Sequence, residues 1–291
     1  MISVIITAFK EPKTVQKSIL SVSNQISKKD EIIIVAPDYE TLNEAGKLSS
    51  KLGNLRLIKD QGKGKSAALN LAVSKVNGEI LVLTDGDVYV GDNSIESLIE
   101  KMKDKKIGAV SGRPVSTNYK IRMLGFWSYV LTEIADFRRK KALVNKKRLF
   151  CSGYLFAIRK ELMPKLPEGL LSEDGFISHK VYRAGYKIEY SPESVVFVKY
   201  PSTFKDWIIQ KKRSAGGYNQ IKKIMNVEIR SFRSESSGAL NLFRYASNIK
   251  EIFWIFALFL SRIYLWAIIY RDINFKKKKR EELWQRVEST K

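Results

Sequence analysis

The sequence predicts a doubly wound α/β fold with a mostly parallel sheet, and three observations carry that expectation. Short β-branched or apolar runs recur at residues 2–8, 31–36, 55–58 and 80–83, each too short to be a helix. Between them, apolar residues at helical spacing supply the strand, helix, strand rhythm from which parallel sheets are built. Directly after the run 80–83 stand two carboxylates, Asp85 and Asp87, at the C-terminal strand end where such sheets place their ligands.

The elements follow in order. Residues 2–8, Ile-Ser-Val-Ile-Ile-Thr-Ala, read as a buried first strand. After Glu11-Pro12, Val15, Ile19, Leu20 and Val22 mark a helix that ends near Ser23 and Asn24. The second strand, 31–36, stops at Pro37-Asp38; a polar helix over about 41–52 leads to the third strand, 55–58. A loop with Gly62, Lys63, Gly64, Lys65 and Ser66 precedes a helix over 67–76. Its glycines and lysines can bring backbone amides and positive charge to an anion, or form an ordinary flexible loop; the spacing is not that of a Walker motif.

With Gly86 between them, Asp85 and Asp87 can turn toward one oxygen-coordinated divalent cation, which can in turn hold nucleotide phosphates. The competing reading is a solvated turn, because Asp-Gly is a common turn pair. A helix over 95–102 and a strand at 109–112 come next. Residues 121–137 are densely apolar, with Phe126, Trp127 and Tyr129, and lead into Arg138-Arg139-Lys140-Lys141 and Lys146-Lys147-Arg148. That combination suits an interfacial helix beside anionic lipid, or a core helix followed by a solvated basic loop.

Phe150-Cys151-Ser152-Gly153-Tyr154 returns to the core, and Glu173 with Asp174 opens a helix, where acids favour the dipole. His179 on that helix reads as a surface or packed histidine. A strand at 185–190 precedes a cationic helix, 207–217, near a Gly216-Gly217 break; Gln210 and Arg213 share one of its faces.

Across residues 252–270 Arg262 is the one charged side chain, at a cost of about 2.5–3.5 kcal/mol if placed in mid-bilayer. Basic residues flank both ends, including the run 276–280, and a single crossing would put that run outside, against the positive-inside tendency. An interfacial or re-entrant helix with both flanks cytoplasmic is therefore preferred to one full span, with a buried core helix third. The net charge of +22 calls for a polyanionic neighbour: nucleic acid, anionic membrane or a phosphate-bearing substrate. One cysteine excludes an intramolecular disulfide framework and a cysteine-built zinc site, which fits a reducing cytosolic setting. No signal-type leader is legible, so nothing argues for secretion.

In order and spacing, these pieces resemble an inverting family 2 glycosyltransferase of the GT-A type, a Rossmann-like fold, over about residues 1–218. The resemblance implies a catalytic domain over 1–220, with a nucleotide-sugar half of about 1–112 and an acceptor half of about 113–220. Residues 221–291 are then a C-terminal helical, membrane-associated region with a basic tail. Thr7, Ala8 and Glu11 fall in the strand and loop that meet the nucleotide, Asp38 takes the place of the base-contacting acid, and Lys65 lies in the segment preceding the metal motif. Asp85-Gly86-Asp87 matches the Asp-x-Asp motif, with Asp85 and Asp87 as ligands of Mn²⁺ or Mg²⁺. Glu173-Asp174 matches the acidic pair whose aspartate is the base, and Gln210 and Arg213 match a Gln-x-x-Arg-Trp box in which Ser214 replaces the Trp. The implied partners are a UDP- or GDP-sugar donor, a lipid-linked or glycan acceptor, and an anionic membrane surface at the cytoplasmic face of the cell membrane.

Two other classes remain open at this stage. A nucleotidyltransferase can share the nucleotide-binding half without needing the Glu173-Asp174 and Gln210-to-Arg213 set. A basic nucleic-acid-binding protein would account for the charge, but the basic residues adjoin aromatic stretches and form no recognisable recognition module, so no nucleic-acid partner is expected.

Overall fold

In the computed structural model, which describes residues 1–227, 239–274 and 287–290, the first four apolar runs become β1 (Ile2–Thr7), β2 (Glu31–Ala36), β3 (Leu55–Lys59) and β4 (Ile80–Asp85). Their connections are α1 (Val15–Ser23), α2 (Tyr39–Gly46) and α3 (Lys65–Val73). All six residues of β2 are buried, as a strand covered on both faces must be. The chain continues through β5 (Val88–Val90), α4 (Ser94–Met102), β6 (Ile107–Ser116), α5 (Met123–Val144), β7 (Leu155–Arg159), α6 (Glu173–Arg183) and β8 (Lys187–Val198). It ends in α7 (Phe204–Met225), a 3₁₀ turn at Ala239–Tyr245 and α8 (Ile249–Asn274).

The strands form one eight-stranded sheet in the order β3-β2-β1-β4-β7-β6-β8-β5. From β1 the chain steps outward to β2 and β3, then returns through α3 to β4 on the other side of β1, all in parallel pairs. α1 packs on α2, and α3 packs on β1 and β2; by the right-handed rule for such crossovers the first two lie on one face and the third on the other, and the reversal opens a crevice at the C-terminal ends of β1 and β4. Beyond β4 the pairing is antiparallel: β7 with β4 and β6, and β5 with β8. Because β7 runs against β4, its first residue, Leu155, pairs with Thr84, bringing residues 152–154 to the crevice.

The chain divides into two compact units, one of Met1–Val115 with Arg138–Val198, which holds the sheet, and one of Ser116–Phe137 with Lys199–Thr290. The second has a core of its own, in which Phe126, Trp127 and Val130 of α5 pack with Trp207 of α7 and with Ile255 and Leu258 of α8. Trp127 Nε1 donates to the Trp254 carbonyl at 2.7 Å. The core-helix reading thus holds for the aromatic side chains Phe126 and Trp127.

Several expectations are revised. The basic quartet 138–141 is helical, because α5 runs on to Val144. Gly216-Gly217 is no break, since α7 passes through it, with buried Trp207 and Ile221 fixing the helix on either side. A strand not foreseen, β7, follows the segment 150–154. Among the described residues one helix, Ile249–Arg271, is long and apolar enough to cross a membrane. Residues 231–238, a polar Ser-rich stretch in the sequence, and the basic run 276–280 lie outside the described residues.

Candidate active site

The crevice between β1 and β4 is lined first by the last residue of each strand. Thr7 and Asp85 are paired in register, and Thr7 Oγ1 donates to Asp85 Oδ1 at 3.0 Å. The next turn is fixed by its backbone: Gly86 N donates to the Thr7 carbonyl at 2.9 Å. A Cβ on Gly86 would lie 2.5 Å from Glu11 Oε2 and 2.7 Å from the Ala8 Cβ, so this position admits glycine alone. Thr7, Ala8, Glu11, Asp85 and Gly86 are thereby brought together. Asp87, half-buried, begins the turn into β5; burial first, then the Asp87 and Glu11 carboxylates, push the Tyr89 phenol up.

Lys65, the first residue of α3, reaches back over this edge. Its Nζ donates to the same Asp85 Oδ1 at 2.5 Å and to the Gly153 carbonyl at 3.5 Å. Burial alone would lower the ammonium's pKa, but Asp85, Glu173 and Asp174 outweigh it and hold the group above its ordinary value. The neighbouring Ser66 Oγ donates to Glu173 Oε1 at 3.4 Å. Burial pushes the Glu173 carboxyl up, against the opposing pull of Lys65.

Asp174 is fixed on three sides. Its Oδ1 accepts from Ser172 Oγ at 2.7 Å and from Gly175 N at 2.8 Å, and its Oδ2 accepts from Gly153 N at 3.0 Å. A carboxylate offers about four acceptor positions, so room remains on Oδ2 for one further donor. Gly153 is thus a hinge-pin of the site, its carbonyl meeting Lys65 and its amide meeting Asp174. It contributes backbone alone, so in the sequence it shows only as a small-residue Ser-Gly step immediately before the apolar run 155–158.

Other candidates have plainer surroundings. Asp38 caps α2, its Oδ1 accepting from Thr41 N at 3.0 Å and its Oδ2 from Lys10 N at 2.8 Å. Burial would raise its pKa, but these hydrogen bonds win and lower it. Asn70, on α3, clamps the backbone of Leu166 through both ends of its amide, at 2.8 and 2.9 Å. His179 packs its ring 4.9 Å from that of Phe150. Cys151 is buried, and its thiol is pushed up to about 12 by that burial. Gln210 and Arg213 lie one turn apart on α7, in the second unit, both half-buried.

Among the described residues no group of three or more His, Cys, Asp or Glu side chains gathers as a metal cage. Asp85 and Asp87 fit instead a hard cation that draws its remaining ligands from phosphate oxygens and water, the habit of Mg²⁺ and Mn²⁺ at nucleotide sites.

Comparison with known proteins bears on the family and the fold. The sequence model of glycosyl transferase family 2 matches residues 3–166. The probable glycosyltransferase YdaM of Bacillus subtilis (strain 168) is 26% identical over 236 residues, covering 74% of this chain and 54% of that protein. The poly-beta-1,6-N-acetyl-D-glucosamine synthase of Staphylococcus aureus (strain COL) is 24% identical over 228 residues, covering 76% and 55%. The chain thus spans about half the length of the curated relatives it matches. Among solved structures, the mannosyltransferase PcManGT from Pyrobaculum calidifontis, in complex with GDP-Man and Mn²⁺, matches with a TM-score of 0.61 at 18% identity, over 97% of this chain and 82% of that one. GalNAc-T7 with UDP, GalNAc and Mn²⁺ matches with a TM-score of 0.52 at 20% identity, over 69% and 43%. At these identities the likeness is one of fold, the GT-A type of α/β sheet. Since the family pattern runs from β1 past β7, over more than half of the sequence, the chain belongs to glycosyl transferase family 2.

Proposed function

We propose that the protein is a metal-dependent, inverting glycosyltransferase that moves a sugar from a UDP- or GDP-sugar to a hydroxyl or phosphate acceptor, lipid-linked or glycan, at the cytoplasmic face of a membrane. The observation that carries this reading is the convergence at the β1/β4 switch point: the Asp85 carboxylate and the Asp174 carboxylate are tied to one another through Lys65 and Gly153. A donor diphosphate and an accepting base are needed side by side for a single displacement, and this junction supplies both environments.

Asp85 and Asp87 would hold the Mn²⁺ or Mg²⁺, which when bound neutralises charge on the leaving diphosphate. Thr7, Ala8, Glu11 and Asp38 border the nucleotide's path. Lys65 adds positive charge to the diphosphate. Asp174 takes the acceptor's proton on Oδ2 as the acceptor oxygen bonds to the anomeric carbon from the far side and the bond to the diphosphate breaks, leaving its electron pair on the nucleoside diphosphate. General-base assistance of this kind contributes about 10²–10⁴-fold. Glu173, its carboxyl pushed up by burial against the pull of Lys65, is the supporting carboxyl beside it. Gln210 and Arg213 are assigned to donor and acceptor contacts. The functional division remains a catalytic body over 1–220 and a membrane-associated region over 221–291.

Membrane attachment is read as in-plane. One face of α8 is committed to the second unit's own core, while Phe253, Phe256, Leu260, Ile263 and Tyr264 form an exposed apolar stripe on the other. With one face of α8 packed in that core, only the other is free to meet lipid, which is what an interfacial helix requires, and α7, which packs on α8, carries Lys222 and Lys223 at positions unsuited to hydrocarbon.

The test is a screen of the full chain against UDP- and GDP-sugars, with and without Mn²⁺, reading thermal shift and sugar release. One nucleotide class is expected to raise the melting temperature in Mn²⁺ alone, as ligand linkage requires, and Asp87→Ala to abolish that rise. Unchanged nucleotide affinity in Mn²⁺ for both Asp85→Ala and Asp87→Ala, measured by calorimetry, would defeat the metal assignment.

A further inference from the structure

Lys65 stands where a cation is wanted. Its ammonium sits 2.5 Å from Asp85 Oδ1, the oxygen that also accepts from Thr7 Oγ1 at 3.0 Å. An oxygen holding an ammonium and a hydroxyl has committed the lone pairs that a metal ion would use, and the positive charge repels an arriving dication. The same ammonium also reaches the Gly153 carbonyl at 3.5 Å. Lys65 is also the first residue of α3, directly after Gly64 in its left-handed φ of +93°, so its stem can change rotamer without moving a strand.

We propose that Lys65 is a placeholder: without nucleotide its ammonium occupies Asp85 Oδ1, and it yields that oxygen to the divalent cation when a nucleotide diphosphate arrives and takes the ammonium onto its own phosphate oxygens. The idea rests on the glycosyltransferase reading of the same site and adds a rule for how the site fills. The bare protein binds the cation weakly, because Lys65 must be displaced with nowhere better to go. A diphosphate gives it a destination. Cation and nucleotide therefore strengthen one another's binding, and by linkage they do so by the same factor. Lys65 is a positioning residue in this scheme, and its signature is a gain in Mn²⁺ affinity of the nucleotide-free protein when its charge is removed, which loss of a diphosphate contact alone would not produce.

The experiment is calorimetric titration of the full chain with Mn²⁺ alone, and with Mn²⁺ plus UDP or GDP, for wild type, Lys65→Met and Asp85→Asn. Without nucleotide, Lys65→Met is expected to bind Mn²⁺ at least about tenfold tighter than wild type, since a unit charge beside the ligand oxygen has gone. The enhancement of Mn²⁺ affinity by nucleotide in wild type is expected to be smaller in Lys65→Met, by the factor that the nucleotide-free protein has gained, the part owed to phosphate oxygens on the cation remaining, and Asp85→Asn to lose Mn²⁺ binding throughout. If Lys65→Met melts too low to titrate, Lys65→Gln, which can still donate to Asp85 without a charge, is read by the same criterion. Unchanged or weaker Mn²⁺ affinity in the folded variant overturns the placeholder while leaving the transferase reading intact. A wild-type chain that binds neither UDP nor GDP in Mn²⁺ brings down the transferase reading, and the coupling with it.

Discussion

Asp174 has three donors on its two oxygens, and that arrangement separates two roles a carboxylate can play at a helix start. The bonds from Ser172 and Gly175 belong to the helix end, whereas the bond from Gly153 ties the carboxylate to the segment that also holds Lys65. In Asp174→Asn the carbonyl oxygen can keep the first pair, but the amide then sets N–H against the Gly153 N–H. A stability loss of about 1 kcal/mol is expected in urea unfolding, as for one half-buried donor that loses its acceptor. Donor binding is expected to persist, while transfer at saturating donor and acceptor falls by at least about a hundredfold. A folded variant with near-wild-type transfer would refute the base assignment and turn attention to Glu173. The carboxylates themselves were legible in the sequence because short acidic spacings at strand and helix ends announce themselves. Gly153 and Asn70 were not, because their meaning lies in partners 88 and 96 residues away. Asp38 carried a second signal that the resemblance overshadowed: an aspartate three residues before a buried threonine is a helix cap, and both its oxygens are used to cap α2 and to pin Lys10.

α8 shows how one helix can satisfy two environments. Ile255, Leu258, Leu265 and Ile269 are buried, and the exposed stripe lies on the opposite side of the same turns. Replacing Phe253 and Leu260 together by Asp is expected to shift stability little, since both are well exposed at 67% and 68%, yet to abolish co-sedimentation with anionic vesicles. Leu258→Asp, with its side chain fully buried, is expected to unfold the second unit, because an unpaired carboxylate cannot stay in that core. Vesicle binding equal to wild type by the Phe253/Leu260 double variant would exclude the stripe as the attachment. Sequence pattern could identify this segment as apolar but not divide its faces, since nearly every position is hydrophobic and periodicity is then silent. The same silence hid β7: Leu155 to Ile158 is apolar throughout, and neither its antiparallel direction nor its place beside β4 follows from its residues. At Gly216-Gly217 propensity argued for a break, at about 1 kcal/mol per glycine, and packing along the rest of α7 overrode it.

At the scale of the molecule, the parallel half of the sheet is bolted at the end away from the crevice. Glu31 accepts from Ser3 Oγ and Asn77 N, both at 2.6 Å, and from Arg56 at 2.9 Å, joining β1, β2, β3 and the start of β4's approach. Burial would raise the Glu31 pKa, but these bonds and the Arg56 charge win and hold it below its ordinary value of 4.5. A carboxyl lowered in the folded state contributes stability that is full above that ordinary value and is lost as pH falls through the lowered one. The stability of wild type in chemical denaturation is therefore expected to fall on going from neutral pH to below about 4, and Glu31→Gln to be less stable at neutrality with a shallower acid dependence. Parallel slopes for the two proteins would show that Glu31 does not carry the effect. The four-strand parallel half could be foreseen from rhythm alone, because crossover connections leave few alternatives; the antiparallel half could not, since it rests on pairings between distant segments. That asymmetry matters while the chain is being made. Once residue 85 has left the ribosome, β1 to β4 can pair, but β4 is then an outer strand with bare N–H and C=O groups and an apolar run, Ile80 to Leu83. Its neighbour β7 is translated some seconds later at usual elongation rates, so a growing chain passes through a stage at which an open strand edge is available to another nascent copy.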